Sequence, residues 1–452
     1  MDLVYRHFIT NFEQALAAHN SAGRRIGAEL KFPLVNSDGS AVSLSTVCAL
    51  WDYLGKCGWQ AVKDSMTGNI VGAKKPGEVN QTVASCETGF CKIEFSLAHV
   101  ANLFDLESSI RKLRQELRPF SEKHQVYFLG YGIQPVTPPS RRLLMQKGRT
   151  SVWDKVFGSN RIIPEEDGDD VCLFTLNAAS HVHVQVSQEE AIPAVNVLNG
   201  FAPAQIALTA NSNIWKGRID PQYKCVAEKF WDWWMLDTSR IGLPEKPFRD
   251  LKDYVRSIAR FRPVYVERLG KPIVLTQYET FEQYYYTGRA IGLDTEGREV
   301  SFVPEKADLD LHCSCFWHNA RISRYYTVEN RVNDQQPPDG LICIAALTLG
   351  LISALPQAWE ELSSYDWQDL RAVREASCQE ALNGEANNIK LAGLAQEMVI
   401  LARLGLQQRG LGEEKFLAPL QTRLQKRKCP ADEARDVFNS GGVRHLVKEY
   451  AL

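Results

Sequence analysis

Carboxylates, imidazoles and guanidinium groups recur at two-residue spacing in four short stretches of this sequence. Side chains alternate across a strand, so residues two apart share a face. In Ile26 to Pro33, Glu29 and Lys31 share one face, while Ala28, Leu30 and Phe32 take the other. In Cys91 to Leu97, Lys92, Glu94 and Ser96 oppose Ile93, Phe95 and Leu97. In His181 to Val186, His181, His183 and Gln185 oppose three valines. In Tyr325 to Asn333, Thr327, Glu329, Arg331 and Asn333 share a face, with Val328 and Val332 pointing away. One such strand alone reads as the wet side of an antiparallel sheet. Four together say more, because their polar faces carry Glu, His, Gln and Arg rather than the Thr and Lys of an ordinary solvent face. Glutamate oxygens hold hard divalent cations, and arginine offers a planar fork to phosphate or carboxylate. If these strands are neighbours, they form a polar trough with both kinds of group. The stretch Ala210-Asn211-Ser212-Asn213-Ile214-Trp215-Lys216-Gly217-Arg218 adds small polar donors and two bases in a loop. A plain turn after a helix accounts for that stretch equally well.

The elements that must position these residues follow from periodicity. Residues 3–20 read as a helix with Leu3, Phe8, Phe12 and Leu16 on one side. Strand-like runs lie at 26–34, 91–97, 125–132, 171–186 and 325–333, with helical runs at 43–57 and 102–123. A helix over 187–210 starts near Ser187, with Glu189 and Glu190 in its first turn. From 339 onward the pattern is helical throughout, and breaks fall at 68–78, 132–140 and 334–340. No glycine-rich phosphate loop follows a strand; the Gly130-Tyr131-Gly132 pair is isolated. Strand and helix do not alternate regularly, which predicts an α+β fold with helices grouped outside a sheet. Residues 1–338 are expected to hold the catalytic sheet and its flanking helices, and 339–452 a helical region packed on the same unit.

Composition narrows the class. A chain of 452 residues allows two to three domains or one enlarged α+β domain, and 44% hydrophobic residues suffice for a large core. A formal net charge of −2 gives no reason to expect nucleic-acid wrapping or membrane adsorption. Eleven cysteines show no repeating framework, and the first residues lack a basic stretch followed by an apolar run. The apolar run Leu341 to Leu355 falls short of a membrane span and reads as a buried helix. A cytoplasmic setting is the expectation. His312, Cys313, Cys315 and His318 crowd into seven residues, too tight to wrap one tetrahedral zinc ion, and Cys313 and Cys315 read as strand residues beside Trp317. Trp231, Trp233 and Trp234 suit an adenine or substrate pocket, with packing the preferred reading.

Taken in order, these segments resemble the plant-and-bacterial type of glutamate–cysteine ligase and its carboxylate–amine ligase relatives. Ile26-Gly27-Ala28-Glu29-Leu30 resembles the family's opening Gly-x-Glu strand. Glu87-Thr88-Gly89 with Ile93-Glu94-Phe95-Ser96 resembles its Glu-x-Gly…Glu-Leu-Ser stretch, and His181-Val182-His183-Val184 its His-Val-His-Val strand. Asn211-Ser212 with Gly217-Arg218 resembles its Asn-Ser-Pro…Gly-Arg loop. Arg321, then Val328-Glu329-Asn330-Arg331 with Asp334, resembles its Glu-x-Arg…Asp strand. Gly410-Leu411-Gly412 and Pro430-Ala431-Asp432 resemble its helical tail, so the likeness spans roughly residues 26–435.

The resemblance implies a glutamine-synthetase-like fold, a curved antiparallel sheet forming a funnel within surrounding helices. It implies that ATP phosphorylates the side-chain carboxylate of glutamate, and that the cysteine amine attacks the acyl phosphate. It further implies Glu29, Glu94, His181 and Glu329 as ligands for Mg2+, with Mn2+ as a substitute. Arg331 and Arg321 would act in the chemistry, and Arg218, Lys216, Asn211, Ser212 and Arg331 would hold the nucleotide. Glu87 would ligate a cation or bind the amino-acid ammonium, His183 and Arg321 would meet the amino-acid substrates, and Lys31, a departure from the family, could pair with Glu94 or with a phosphate or carboxylate of the substrate. Partners would be small molecules, with neither nucleic acid nor membrane, and the number of copies is left open. Three departures stand out. Lys31 replaces a second glutamate, Asn213 replaces a proline, and only Lys224 represents an arginine-rich stretch. They leave the number of cations and the choice of substrate open. γ-Glutamylcysteine formation is the leading expectation. The alternatives are the same chemistry on another acid or amine in natural-product or modified-peptide assembly, and a binding protein that lost the chemistry. The intact Glu94, His181, Glu329 and Arg331 argue against the last.

Overall fold

The alternation read in the sequence becomes one extended sheet in the computed structural model, which describes residues 2–18, 24–77, 80–156, 161–234 and 237–452, without the side chains of 16–18, 154, 155 and 234. Among the described residues its strands are β1 (Ile26–Asn36), β2 (Gln60–Lys63), β3 (Ile70–Lys74), β4 (Val83–Cys86), β5 (Lys92–Ser96), β6 (Val126–Phe128), β7 (Ala179–Val184), β8 (Ala320–Ile322) and β9 (Val328–Asp334). Their order is β8-β9-β7-β1-β5-β4-β3-β2, antiparallel throughout, with β6 paired to the far end of β1. The four polar strands are therefore consecutive. Register aligns their chemistry: Glu29 lies opposite His181 and Ser96, Lys31 opposite Glu94, and Glu329 opposite His183 and Arg321.

The other face of the sheet is apolar and buried. Ala28, Leu30 and Phe32 of β1, Ile93 and Phe95 of β5, and Val182 and Val184 of β7 join one core. The helices Ala202–Thr209 and Cys343–Ser353 lie against it. The apolar run at 341–355 is thus the buried helix that its length predicted. No single helix among the described residues is long and apolar enough to cross a membrane.

Behind Cys343–Ser353 runs Leu391–Arg409, and the two touch backbone to backbone. A Cβ on Gly405 would stand 2.0 Å from Gly350 O, and one on Gly350 would stand 2.2 Å from Ala402 O. Neither helix can move aside without opening the core, because overpacked interiors relax at a cost. Gly405→Ala should lower stability by about 1–3 kcal/mol, read as an earlier urea midpoint. An unchanged midpoint would mean that the helices separate freely here.

Several expectations need correction. The helix over 187–210 breaks at Phe201 into Gln188–Gly200 and Ala202–Thr209, bent by 52°. Pro203 sits in the first turn of the second piece, where its missing N–H costs nothing. The start is as read, with Ser187 and Glu190 capping each other reciprocally. The N-terminal helix is Asp2–Ala18, and positions 19 and 20 lie outside the described residues. Its buried stripe is Val4, Phe8 and Phe12, while Leu3 is exposed, because an i, i+4 row faces the core. Residues 170–175 form 3-10 turns rather than strand. Cys313 ends the helix Ala307–Cys313, and Cys315 follows in a turn, so neither is a strand residue. The sheet Tyr265–Arg268, Lys271–Val274, Ala290–Leu293, Glu299–Phe302 was not anticipated, nor were β2 to β4. Past 339 the chain is helical except for a hairpin pairing Glu385–Ala386 with Ile389–Lys390.

One irregularity matters for the site. The register of β9 on β7 shifts between Asn330 and Asn333, inserting one extra residue. Asn330 and Asn333 consequently both turn to the helical side, where Gln205 Oε1 accepts from them at 2.7 and 3.2 Å. The Asn333 side chain thus leaves the face of Glu329 and Arg331 on which it was expected, while Val332, Asn333 and Asp334 all border the cleft past the bulge and Val332 remains in the apolar core.

Candidate active site

A cleft of about 440 Å3 opens over the polar face of β9, β7, β1 and β5. Glu29 stands at its centre. Its Oε2 is 3.2 Å from His181 Nδ1 and accepts from Lys31 Nζ at 3.0 Å; its Oε1 lies 3.1 Å from His183 Nε2. His183 is held from behind by Thr327 Oγ1, 2.9 Å from its Nδ1. On β9, Glu329 accepts from Arg321 Nε at 2.9 Å and from Arg331 Nη1, and lies 3.4 Å from His181. Arg321 also donates Nη1 to the carbonyls of Cys313 and Phe316 at 3.3 and 2.5 Å, so much of its fork is committed. Arg331 shows Glu329 as its hydrogen-bond partner, which leaves most of its fork over the cleft.

On the other flank, Lys31 also donates to Glu87 Oε1 at 3.2 Å and to Glu94 Oε2. Ser96 Oγ donates to Glu94 Oε1 at 2.6 Å. Lys92 donates to Phe174 O at 2.9 Å and Asn177 Oδ1 at 3.0 Å. The structure thus assembles Glu29, Lys31, Glu94, His181, His183, Glu329 and Arg331 from the four strands in one cleft, together with Glu87 and Arg321, which the resemblance had added.

Burial makes the electrostatics severe. It pushes the Glu29 carboxyl up, but Lys31 and the hydrogen bonds to His181 and His183 outweigh it and hold it well below the ordinary value. Glu329 is lowered in the same way, against burial, by Arg321 and Arg331, and Glu87 by Lys31. Burial and the neighbouring Glu29 raise Glu94 to about 8 despite Lys31. Burial lowers the Lys31 ammonium, yet Glu29, Glu94 and Glu87 hold it well above its ordinary value. Burial, then Lys31 and Arg331, lower His181. For His183 burial is overcome by Glu29, and its value rises.

Carboxylates that ionise more readily folded than unfolded stabilise the fold above their unfolded pKa. That contribution is lost as pH falls through the folded value. Glu29, Glu87 and Glu329 lie below the ordinary 4.5, so thermal stability should drop steeply once pH falls under 4.5. Melting curves from about pH 6 to about pH 3 would show it, and a midpoint flat across that window would contradict the ion-pair network.

The loop residues assigned to the nucleotide lie elsewhere. Asn211 and Ser212 are fully buried and brace the fold. Asn211 N and Ser212 Oγ donate to Asp334 Oδ2 at 2.7 and 2.8 Å, and Asn211 Nδ2 donates to the carbonyls of Gly130 and Gln335. Lys216 and Arg218 both pair with Asp167, each at 2.8 Å. None of the four lines the cleft, because their polar groups tie the loop to distant segments, Asp334, Gly130, Gln335 and Asp167. Trp231 does line it, stacked on Trp317 at 5.3 Å and packed on Phe174 at 4.2 Å. Trp233 packs on Tyr223 and Phe230, and the Trp234 side chain lies outside the described residues. His312 Nε2 is 2.7 Å from Ile258 O, and His318 Nε2 is 3.0 Å from Ser239 O. Arg149, Asn177, Glu228 and Asn319 also reach the cleft. Arg149 lies in a 3-10 turn, Glu228 on the helix Val226–Trp234, and Asn177 and Asn319 outside the sheet's strands, so no strand alternation announces them.

Glutamate–cysteine ligase, chloroplastic, of Medicago truncatula is 22% identical over 401 residues, 86% of this chain and 74% of that protein. Two bacterial proteins carrying provisional glutamate–cysteine ligase 2 names are 27% and 28% identical, from Streptomyces avermitilis over 238 residues and Rubrobacter xylanophilus over 185. These matches take in 51% and 41% of this chain, and the chain spans about half the length of both proteins, 52% and 46%. Among solved structures, the glutamate–cysteine ligase of Francisella tularensis in complex with AMP superposes with a TM-score of 0.51 at 11% identity. That superposition covers 95% of this chain and 88% of that one. A bifunctional glutathione synthetase from Pasteurella multocida gives 0.55 at 12% identity, over 98% of this chain and 54% of that one. At such identities the superpositions establish the fold: an antiparallel sheet with helices around it. Residues 25–449 match the model of glutamate-cysteine ligase family 2 (GCS2), and the chain belongs to that family.

Proposed function

We propose that this protein joins a carboxylate to an amine at the expense of ATP, through an acyl phosphate, with glutamate and cysteine as the leading pair. The observation that carries this reading is the meeting of acidic, imidazole and guanidinium groups in one buried cleft. The AMP in the Francisella structure is in keeping with it. The residues present fit a hard divalent cation: one ligand atom each from Glu29, His183 and Glu329 lie within 4.8 Å of one another. Mg2+ or Mn2+ held there would supply positive charge against the triphosphate.

The chain's own groups divide the remaining work. Arg331 offers its free fork to the transferring phosphoryl group, where charge spreads over three oxygens. Glu329 aims that fork and keeps Arg321 beside it. Phosphoryl transfer asks mainly for positioning and charge neutralisation, and buried, preorganised donors provide both. The walls of Trp231, Trp317 and Phe174 give a flat ligand ring an apolar surface. Incubation with ATP, Mg2+, glutamate and cysteine should release phosphate and ADP together with the amide product. AMP and pyrophosphate instead would sink the acyl-phosphate route.

A second reading keeps the chemistry and changes the acid or amine. Its support is that Lys31 occupies Glu87, a group the resemblance offers to a substrate ammonium. A panel of acids and amines, read by phosphate release, separates the two.

A further inference from the structure

Three carboxylates converge on one buried ammonium. Lys31 Nζ donates to Glu29 Oε2 at 3.0 Å, to Glu87 Oε1 at 3.2 Å and to Glu94 Oε2. An ammonium has three N–H donors, and each has an acceptor here. Lys31 is 6% exposed, so its charge is directed into the cluster rather than to water. Carboxylates from β1, β5 and the turn after β4, aimed at a single buried position, are an arrangement that otherwise suits a hard divalent cation. A second such position adjoins it, made by Glu29, His183 and Glu329. Glu29 belongs to both. Its Oε2 serves Lys31 and its Oε1 faces His183.

We propose that Lys31 is a built-in cation. Its ammonium fills the Glu29–Glu87–Glu94 position, so the protein recruits a divalent ion only at Glu29–His183–Glu329. This rests on the ligase reading in one respect, that the second position takes Mg2+ or Mn2+. The consequence is a site with one exchangeable cation fewer than its carboxylates would otherwise hold. The built-in charge is single, cannot dissociate with product and has a fixed place. Glu87, expected to ligate a cation or bind the amino-acid ammonium, and Glu94, expected to ligate metal, instead serve as the acceptors of Lys31.

The test is Mn2+ binding to the full chain without nucleotide, read by the spin-resonance signal of free Mn2+. Lys31→Ala empties the position and leaves its three carboxylates, so it should bind one more Mn2+ per chain than wild type. Adding Glu94→Gln to Lys31→Ala should remove that extra ion. A folded Lys31→Ala protein with the wild-type count overturns the proposal. Should that variant not fold, wild-type crystals soaked in Mn2+ decide by anomalous scattering. A peak at Glu29, His183 and Glu329 alone supports the proposal, and a peak coordinated by Glu87 or Glu94 refutes it. Failure of the ligase reading would appear separately, as no ADP from the wild-type protein with the ion counts unaltered.

Discussion

Arg331→Ala should lower the rate of ADP formation about 100- to 1000-fold, the scale of losing one preorganised transition-state donor, about 3–4 kcal/mol. The guanidinium sits beside the β9 bulge and gives Nη1 to Glu329, with the rest of its fork over the cleft. Because that fork would meet charge that develops in the transfer step, the loss should fall on kcat more than on KM. Arg331→Lys should recover only a small part, since an ammonium is a point donor and cannot engage two oxygens in a plane. The fold should survive the alanine change, because Glu329 keeps its bond to Arg321. Turnover near wild type, with an unchanged melting temperature, would remove Arg331 from the chemistry.

Glu329→Gln should be costly twice over. Glu329 is 3% exposed and neutralises Arg321 and Arg331 while lying 3.4 Å from His181. Exchanging its carboxylate for an amide leaves two buried guanidinium groups facing each other with one neutral acceptor. Breaking a buried ion pair on one side costs about 3–5 kcal/mol, and the retained amide oxygen places this variant toward the low end. Activity should fall at least about 100-fold, because Arg331 loses the group that aims it and the candidate cation position loses an oxygen anion. Urea titration and ADP formation measure the two effects separately. The arginine pair provides an internal control. Glu329→Gln with Arg331→Ala should be less destabilised than the two single changes added together, because each removes part of the other's penalty. Simple additivity would show that the two side chains do not act on one another. Stability and turnover both within error of wild type would place Glu329 outside the site.

Much of this site was legible before any coordinates. Glu29, Lys31, Glu94, His181 and His183 lie on strands whose apolar partners alternate, and Glu329 and Arg331 flank Asn330 between two valines, so a period of two assigns each to a face. The identity of the groups then pointed to cations and phosphates, and the resemblance to the reaction. Asn333 shows where such reasoning stops. A two-residue count put it beside Arg331, but one extra residue in β9 sent it to Gln205 on the far side. A bulge has no signature in the pattern, because it depends on the partner strand.

The loop Asn211 to Arg218 marks another boundary. Its donors look equally fit for phosphate and for fold bracing, and only the folded chain shows Asp334 and Asp167 consuming them. Asp334 is 123 residues from Asn211, so no local window contains both partners. Glu87 and Lys31 are likewise 56 residues apart and meet because β1, β5 and β4 pair in that order. Local sequence therefore decided which side chains face the trough and which face the core, since burying apolar surface drives that choice residue by residue. Which of those polar groups would be left free to act, and which would be spent on one another, was decided by strand order, register and the bulge. Those arise from contacts between distant segments, whose energies no single stretch of sequence contains.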